Sequence, residues 1–155
     1  MLESASSDRE PRASTVLADR LEIQDLIARY GQAVDRRDWE VLDHLFTPDC
    51  HIDYRQMGGI AGDLATVKSW LAETMTIFVS TQHMFGLPVI DLDGDQATAV
   101  TICHNPMVLK DGADPQLLVC GLWYHERFVR GAHGWRISEL VEERCYTKVM
   151  KGKPT

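Results

Sequence analysis

The feature that most limits what this chain can become is a change of hydrophobic period near Phe78. Ahead of it, apolar residues recur at spacings of three and four. Beyond it they alternate with polar residues, and β-branched side chains become common. The first spacing draws an apolar stripe along one side of a helix, and the second gives a strand one buried face. A chain that places helices ahead of a run of strands is expected to fold as an α+β domain, with the helices covering one face of a sheet.

Three helices are expected in the first half. From Thr15, "TVLADRLEIQDLIARYGQAVDRRDW" sets Leu17, Leu21, Ile27, Tyr30 and Val34 near helical spacing, with Ser14 or Thr15 as cap and Asp19 and Glu22 in the early turns. "DWEVLDHLF" reads as a second helix capped by Asp38. It carries Trp39, Leu42, Leu45 and Phe46 on one side and stops at Thr47-Pro48. "CHIDYRQM" follows as a strand. "GDLATVKSWLAETM" is then a third helix that opens at Gly62-Asp63 and buries Leu64, Val67, Leu71 and Trp70. In the second half, Asp93-Gly94, "KDGADP" at 110 to 115 and "RGAHG" at 130 to 134 are turn signals between four consecutive strands, the pattern of an antiparallel meander. Gly121, inside "LLVCGLWYHERF", marks a bend or bulge.

The 155 residues, 45% hydrophobic and 25% charged, suit one domain. Its expected limits are 15–148, between a flexible tail at 1–14 and a C-terminal tail at 149–155. A formal charge of −7 without any long basic block argues against nucleic acid or an anionic membrane as partner. No apolar run approaches the roughly 18 residues of a membrane span. "MLESASSDREPRAST" lacks a signal core, so a soluble cytoplasmic protein is expected. Cys50, Cys103, Cys120 and Cys145 stand far apart and are expected as free thiols. Cys50-His51 and Cys103-His104 are strand neighbours whose side chains point to opposite faces, which argues against zinc. With no Gly-rich phosphate loop and no H-E-x-x-H, no metal or cofactor is expected.

The order α-α-β-α-β-β-β-β, with "DRRDWEVLDHLFTPDCHIDYRQM" and "STQHMFG", resembles the SnoaL-like members of the nuclear transport factor 2-like superfamily. Within it the chain is similar to the scytalone dehydratases, the bile acid dehydratases and the hexachlorocyclohexane dehydrochlorinases over about residues 15 to 148. The resemblance implies a conical barrel in which three helices pack on a strongly curved, mostly antiparallel sheet. It also implies a cofactor-independent dehydratase, a lyase, whose substrate is a hydrophobic cyclic hydroxy-ketone. An isomerase or polyketide cyclase of the same fold stays open as an alternative, as does a non-catalytic ligand-binding or assembly domain. A homo-oligomer, dimer or trimer, is expected because an open sheet face needs cover.

In these families an aspartate at the end of the first helix orients a histidine that follows the third helix. The matching positions are Asp35 and His83. Alone, Asp35 reads as a helix-end carboxylate facing water and His83 as a core histidine bonded to a carbonyl. As a pair they supply what an acid-base imidazole in an apolar cavity needs, a partner that sets its tautomer and steadies its protonated form. Tyr54 matches a tyrosine that polarises the substrate carbonyl, and its plain reading is a strand aromatic filling the core. Tyr30 resembles the bile acid dehydratase tyrosine, an acid near the leaving group, and reads equally as packing. Val34, Met107 and Gly121 stand where scytalone dehydratase has a tyrosine, a second histidine and an asparagine, so a different substrate is expected. His104 is a replacement polar group if the strand bulges at Asn105-Pro106. Trp39, Phe46, Met57, Trp70 and Leu71 are candidate pocket walls. Met75, Phe85, Met107 and Trp123 are others, in an apolar site suited to a flat ring.

Overall fold

A computed structural model of the chain describes residues 13–110 and 116–151. Three helices, α1 (Ala13–Arg36), α2 (Trp39–Leu45) and α3 (Leu64–Thr74), accompany one sheet. Its strands are β1 (Phe46–Asp53), β2 (Ala61–Gly62), β3 (Phe78–Thr81), β4 (Met84–Phe85), β5 (Val89–Asp93), β6 (Gln96–Leu109), β7 (Gln116–Gly131) and β8 (Gly134–Met150). They lie in the order β2-β1-β8-β7-β6-β3, with β4 and β5 also paired to β6. All pairs are antiparallel except β1 with β8. The α+β architecture is the expected one, with one correction. The sheet curls without closing into a barrel, and β2 and β3 remain at its ends. Among the described residues no helix is long and apolar enough to cross a membrane.

The buried stripe of α1 is Ile23, Leu26, Ile27, Tyr30, Ala33 and Val34. Leu17 and Leu21, expected on it, are 59% and 56% exposed. Asp19 turns inward in their place. Its carboxylate accepts from the Trp135 indole N–H at 3.1 Å and from the Arg130 guanidinium at 2.6 Å, while Glu22 accepts the Trp135 backbone N–H at 2.8 Å. A buried indole N–H left without an acceptor would be costly, so the carboxylate takes the inner position. The helix is already running at Ala13, which puts Ser14 and Thr15 inside it and not at its cap.

At its far end α1 closes in a Schellman turn: the Asp38 N–H bonds the Ala33 carbonyl at 2.9 Å and the Arg37 N–H bonds that of Val34 at 3.1 Å. Arg37 adopts a left-handed φ of 57°, alone among the described non-glycine residues. That conformation costs about 1–2 kcal/mol. The Arg37 guanidinium offsets the cost by donating to the carbonyls of Met75 at 3.2 Å and Phe78 at 2.7 Å, which fastens the end of α1 to the entry of β3. Asp38 precedes α2, yet its side chain makes no capping bond. Asp63 does cap α3, accepting from the Thr66 N–H at 2.8 Å.

β1 begins four residues earlier than the expected strand, so Phe46 opens it and does not close α2. It ends at Asp53, and Arg55–Met57 form a 3₁₀ turn with Tyr54 at its head. The β1–β8 register shifts between Phe46 and His51, around Pro48, which has no N–H to give. The last four strands form the meander. Gly94-Asp95 links β5 to β6 with Gly94 at φ 59°, and Ala132-His133 links β7 to β8. The "KDGADP" turn falls mostly on 111–115, outside the described residues. At Gly121 the β7–β8 register shifts, as expected of a bulge. A Cβ there would overlap the Tyr146 ring that covers the glycine. β8 runs on to Met150, while most of the two expected tails lies outside the described residues.

Candidate active site

Asp35 stands on the last turn of α1, and His83 on the short link between β3 and β4. They meet at 2.7 Å, His83 Nδ1 to Asp35 Oδ1. The same carboxylate accepts the Thr81 hydroxyl at 2.9 Å and the His83 backbone N–H at 2.8 Å, so it grips both the ring and the chain that carries it. Burial alone would raise the Asp35 pKa. The bonds from the His83 ring and backbone and from Thr81 outweigh it and hold the carboxyl below its ordinary value. An ionised acceptor draws the imidazole proton to Nδ1 and leaves Nε2 as the basic nitrogen. There the Asn105 amide nitrogen lies at 3.0 Å, placed to donate to it. Among the described residues, the buried Asn105 Oδ1 finds no hydrogen-bond partner.

The close fit of this link to α1 depends on Gly31, one turn before Asp35. A Cβ at that position would overlap the Phe85 ring and sit 3.0 Å from His83 Cβ. Glycine inside a helix ordinarily costs about 1 kcal/mol relative to alanine, so Gly31→Ala would stabilise the protein if there were room. We expect it instead to destabilise the protein by about 1–3 kcal/mol through overpacking and to weaken the Asp35–His83 bond. Thermal melting together with the imidazole Nδ1–H resonance measures both effects, and a more stable variant with that resonance unmoved would contradict the expectation.

Beside the pair is a cavity of about 380 Å³. Tyr30 and Val34 of α1 line it, with Tyr54 and Met57 from the turn after β1, Trp70, Leu71 and Met75 from the α3 region, and Met107, Leu118, Cys120, Leu122 and Glu142 from the sheet. The Tyr30 and Tyr54 hydroxyls bond each other at 2.7 Å, and burial pushes both phenols well above their ordinary pKa. They remain protonated donors at any working pH.

Several expected wall residues lie elsewhere. Phe46 is core behind Tyr30, their ring centres 5.9 Å apart. Phe85 packs between His83 and Tyr124, at 5.9 and 5.5 Å. Trp39 packs on the core from the start of α2. Trp123 and His104 face the opposite side of the sheet, because their neighbours Leu122, Tyr124, Cys103 and Asn105 point inward. The β6–β7 pairing is unbroken from Gln96 to Leu109, so no bulge at Asn105-Pro106 turns His104 inward. His104 instead lies 3.1 Å from the Tyr146 hydroxyl on the outer face.

Thr81, Asn105 and Glu142 escaped the sequence reading. The parity of β6 was a usable signal for Asn105, since a strand that buries Ala97, Ala99, Thr101 and Cys103 also turns residue 105 inward. Glu142 shares the parity of Leu140 on β8 in the same way.

A family model described as the SnoaL-like domain matches residues 15–141. The chain belongs to this family. A relative of similar length is the uncharacterized Mycobacterium tuberculosis protein Rv2910c, 45% identical over 143 residues that span 92% of this chain and 97% of the relative. Among solved structures, a Novosphingobium aromaticivorans protein provisionally named a scytalone dehydratase superposes with a TM-score of 0.75 at 19% identity, covering 91% of this chain and 95% of its own. The hexachlorocyclohexane dehydrochlorinase LinA-type3 of Novosphingobium barchaimii superposes with 0.72 at 17% identity, over 87% and 92%. A nuclear transport factor 2-like superfamily protein of Salmonella enterica superposes with 0.70 at 19% identity, over 90% and 94%, and at this level the likenesses establish the fold as nuclear transport factor 2-like.

Proposed function

We propose that the protein is a cofactor-independent dehydratase, a lyase, acting on a hydrophobic cyclic hydroxy-ketone with His83 and Asp35 as its acid-base pair. The observation that carries this reading is the 2.7 Å bond between the two at the wall of an apolar cavity. An engineered cavity of about 150 Å³ holds one benzene ring, so about 380 Å³ suits two fused rings.

In this reading His83 Nε2 takes the proton from the carbon beside the ketone, and the C–H electron pair moves into the carbonyl to form an enolate. The Asn105 amide, which occupies Nε2 in the resting site, yields as substrate arrives. Tyr54 donates to the enolate oxygen and Tyr30 backs it through their shared bond. The enolate pair then returns to form a C=C bond while the C–O bond at the next carbon breaks. The hydroxyl departs as water with a proton from the imidazolium or from Tyr30. Each positioned acid or base contributes about 10²–10⁴ in rate, enough for a C–H bond already acidified by a ketone.

The test is incubation with 3-hydroxy-1-tetralone in D₂O, followed by mass spectrometry. Formation of 1-naphthol by loss of one water is expected. Uptake of deuterium beside the ketone without loss of water would favour the isomerase or cyclase reading. A tetralone that binds and returns with neither change would sink the acid-base assignment and favour a ligand-binding domain. The reading also carries a cytoplasmic homo-oligomer, dimer or trimer, joined through the outer sheet face, where Val89, Ile102 and Tyr146 are 70%, 55% and 47% exposed. Light scattering that returns a monomer mass at working concentration would contradict that part.

A further inference from the structure

Glu142 has no part in the proposed elimination. It lies on β8 with its side chain at the cavity wall, and the Tyr124 hydroxyl donates to its Oε1 at 3.0 Å. Among the described residues, Oε2 has no hydrogen-bond partner and no cationic nitrogen comes within 4 Å of the carboxyl. The groups that face it are Tyr124 and Cys120 of β7, Tyr30 of α1, Cys103 of β6, and Asp53 and Tyr54 at the end of β1. Arg144, two residues along the same strand, lines the cavity without pairing to it. Burial pushes the Glu142 pKa up to about 8, with the Tyr124 bond opposing the rise and Asp53 adding to it. A neutral acid with one oxygen held by a phenol and the other unbonded is a donor facing an apolar cavity.

Its place in the sheet gives this donor a meaning. Asn105, against His83 Nε2, stands on β6, and Glu142 stands on β8 with β7 between them. Across the sheet Asn105 aligns with Cys120 and Thr147, and Glu142 with Tyr124 and Thr101, so the two poles stand two strands and four residues apart, roughly 16 Å between Cα atoms, and both line the one cavity. We propose that Glu142 is the second polar pole of the ligand site, contacting a second oxygen function, a hydroxyl or carbonyl, on the ring remote from the reacting carbon. The inference deepens the dehydratase reading and rests on it for the ring substrate, but its test is a matter of binding alone.

Fluorescence titration of the full chain with 1-naphthol and with 1,6-dihydroxynaphthalene supplies that test. For the parent protein the second hydroxyl is expected to tighten binding at least tenfold. Glu142→Leu is expected to abolish that gain, so that the two ligands bind the variant with affinities within twofold of each other. Glu142→Gln, which keeps a donor and an acceptor of similar size, is expected to retain the gain to within threefold. A second hydroxyl without effect on the parent would overturn the inference and leave the dehydratase reading standing. So would a Glu142→Leu variant that lost both ligands equally, since that marks a structural role. If neither naphthol bound the parent, the inference and the ring-substrate reading would fall together.

Discussion

Replacing His83 by alanine is expected to lower kcat for the hydroxy-tetralone by about 10²–10⁴, the range for a single positioned acid-base group. Asp35→Asn is expected to fall in the same range for a different reason. The amide can still meet Nδ1, but it removes the negative charge that stabilises the imidazolium once Nε2 has taken the substrate proton. It also weakens the hold on the Thr81 hydroxyl and the His83 backbone. KM should change little in either variant, because the pair acts on the transition state and the apolar walls supply the binding. The measurement is kcat and KM for both variants, with 1-naphthol affinity as a check that the cavity survives. Parent-like kcat in either one would end the acid-base assignment. A matched loss of kcat and of naphthol affinity would mean that the pair is structural.

Glu126 is expected to make the protein less stable as pH rises. It is 2% exposed on β7, and its only described hydrogen bond is from the Thr101 hydroxyl at 2.7 Å. Burial drives its pKa up to about 8, against the pull of that bond. In the unfolded chain a glutamate releases its proton near pH 4.3, while the folded protein keeps it to about 8. Over that interval the unfolded state gains ionisation free energy that the native state is denied. The Glu126 contribution is therefore intact below about pH 4.3 and lost as pH rises through about 8. The loss is about 3–5 kcal/mol. Glu126→Gln, which keeps the shape and a partner for Thr101, should lie within about 1 kcal/mol of the parent at pH 5 and be more stable by much of the full amount at pH 9. Urea titrations at the two pH values measure it, and parallel pH profiles for parent and variant would contradict the assignment. Asp35 works in the opposite sense, since its depressed pKa gives stability that is present above its ordinary value and lost on acidification.

The change of period at Phe78 was enough to foresee helices before strands, and Asp63 and Gly94 marked element boundaries and Gly121 a bulge because each has a local chemical reason to be where it is. Side-chain facing was harder to read. Leu17 and Leu21 match a helical stripe as well as Asp19 does. What decides between them is an indole 116 residues away, which no local pattern carries. His104 was weighed for the pocket because it is the polar type that the resemblance led one to seek, but the alternation of β6 gives the inward place to Asn105. The meeting of Asp35 and His83 was legible only through the family resemblance. Their 48-residue separation is closed by the Arg37 bonds to Met75 and Phe78 and by the fit at Gly31, which are properties of the assembled fold.

Arg37 and Gly31 also divide the labour along the chain. Asp35, which hydrogen-bonds His83, and Thr81, which donates to the same carboxylate, both precede it in the chain, while Phe85 and Asn105 beside it and the facing wall of Met107, Leu118, Cys120, Leu122 and Thr147 come from the strands that follow. Part of the wall that would select a guest is thus carried by a stretch of sequence that holds neither Asp35 nor His83. A library confined to those five wall positions is expected to exchange one guest for another with Asp35 and His83 untouched.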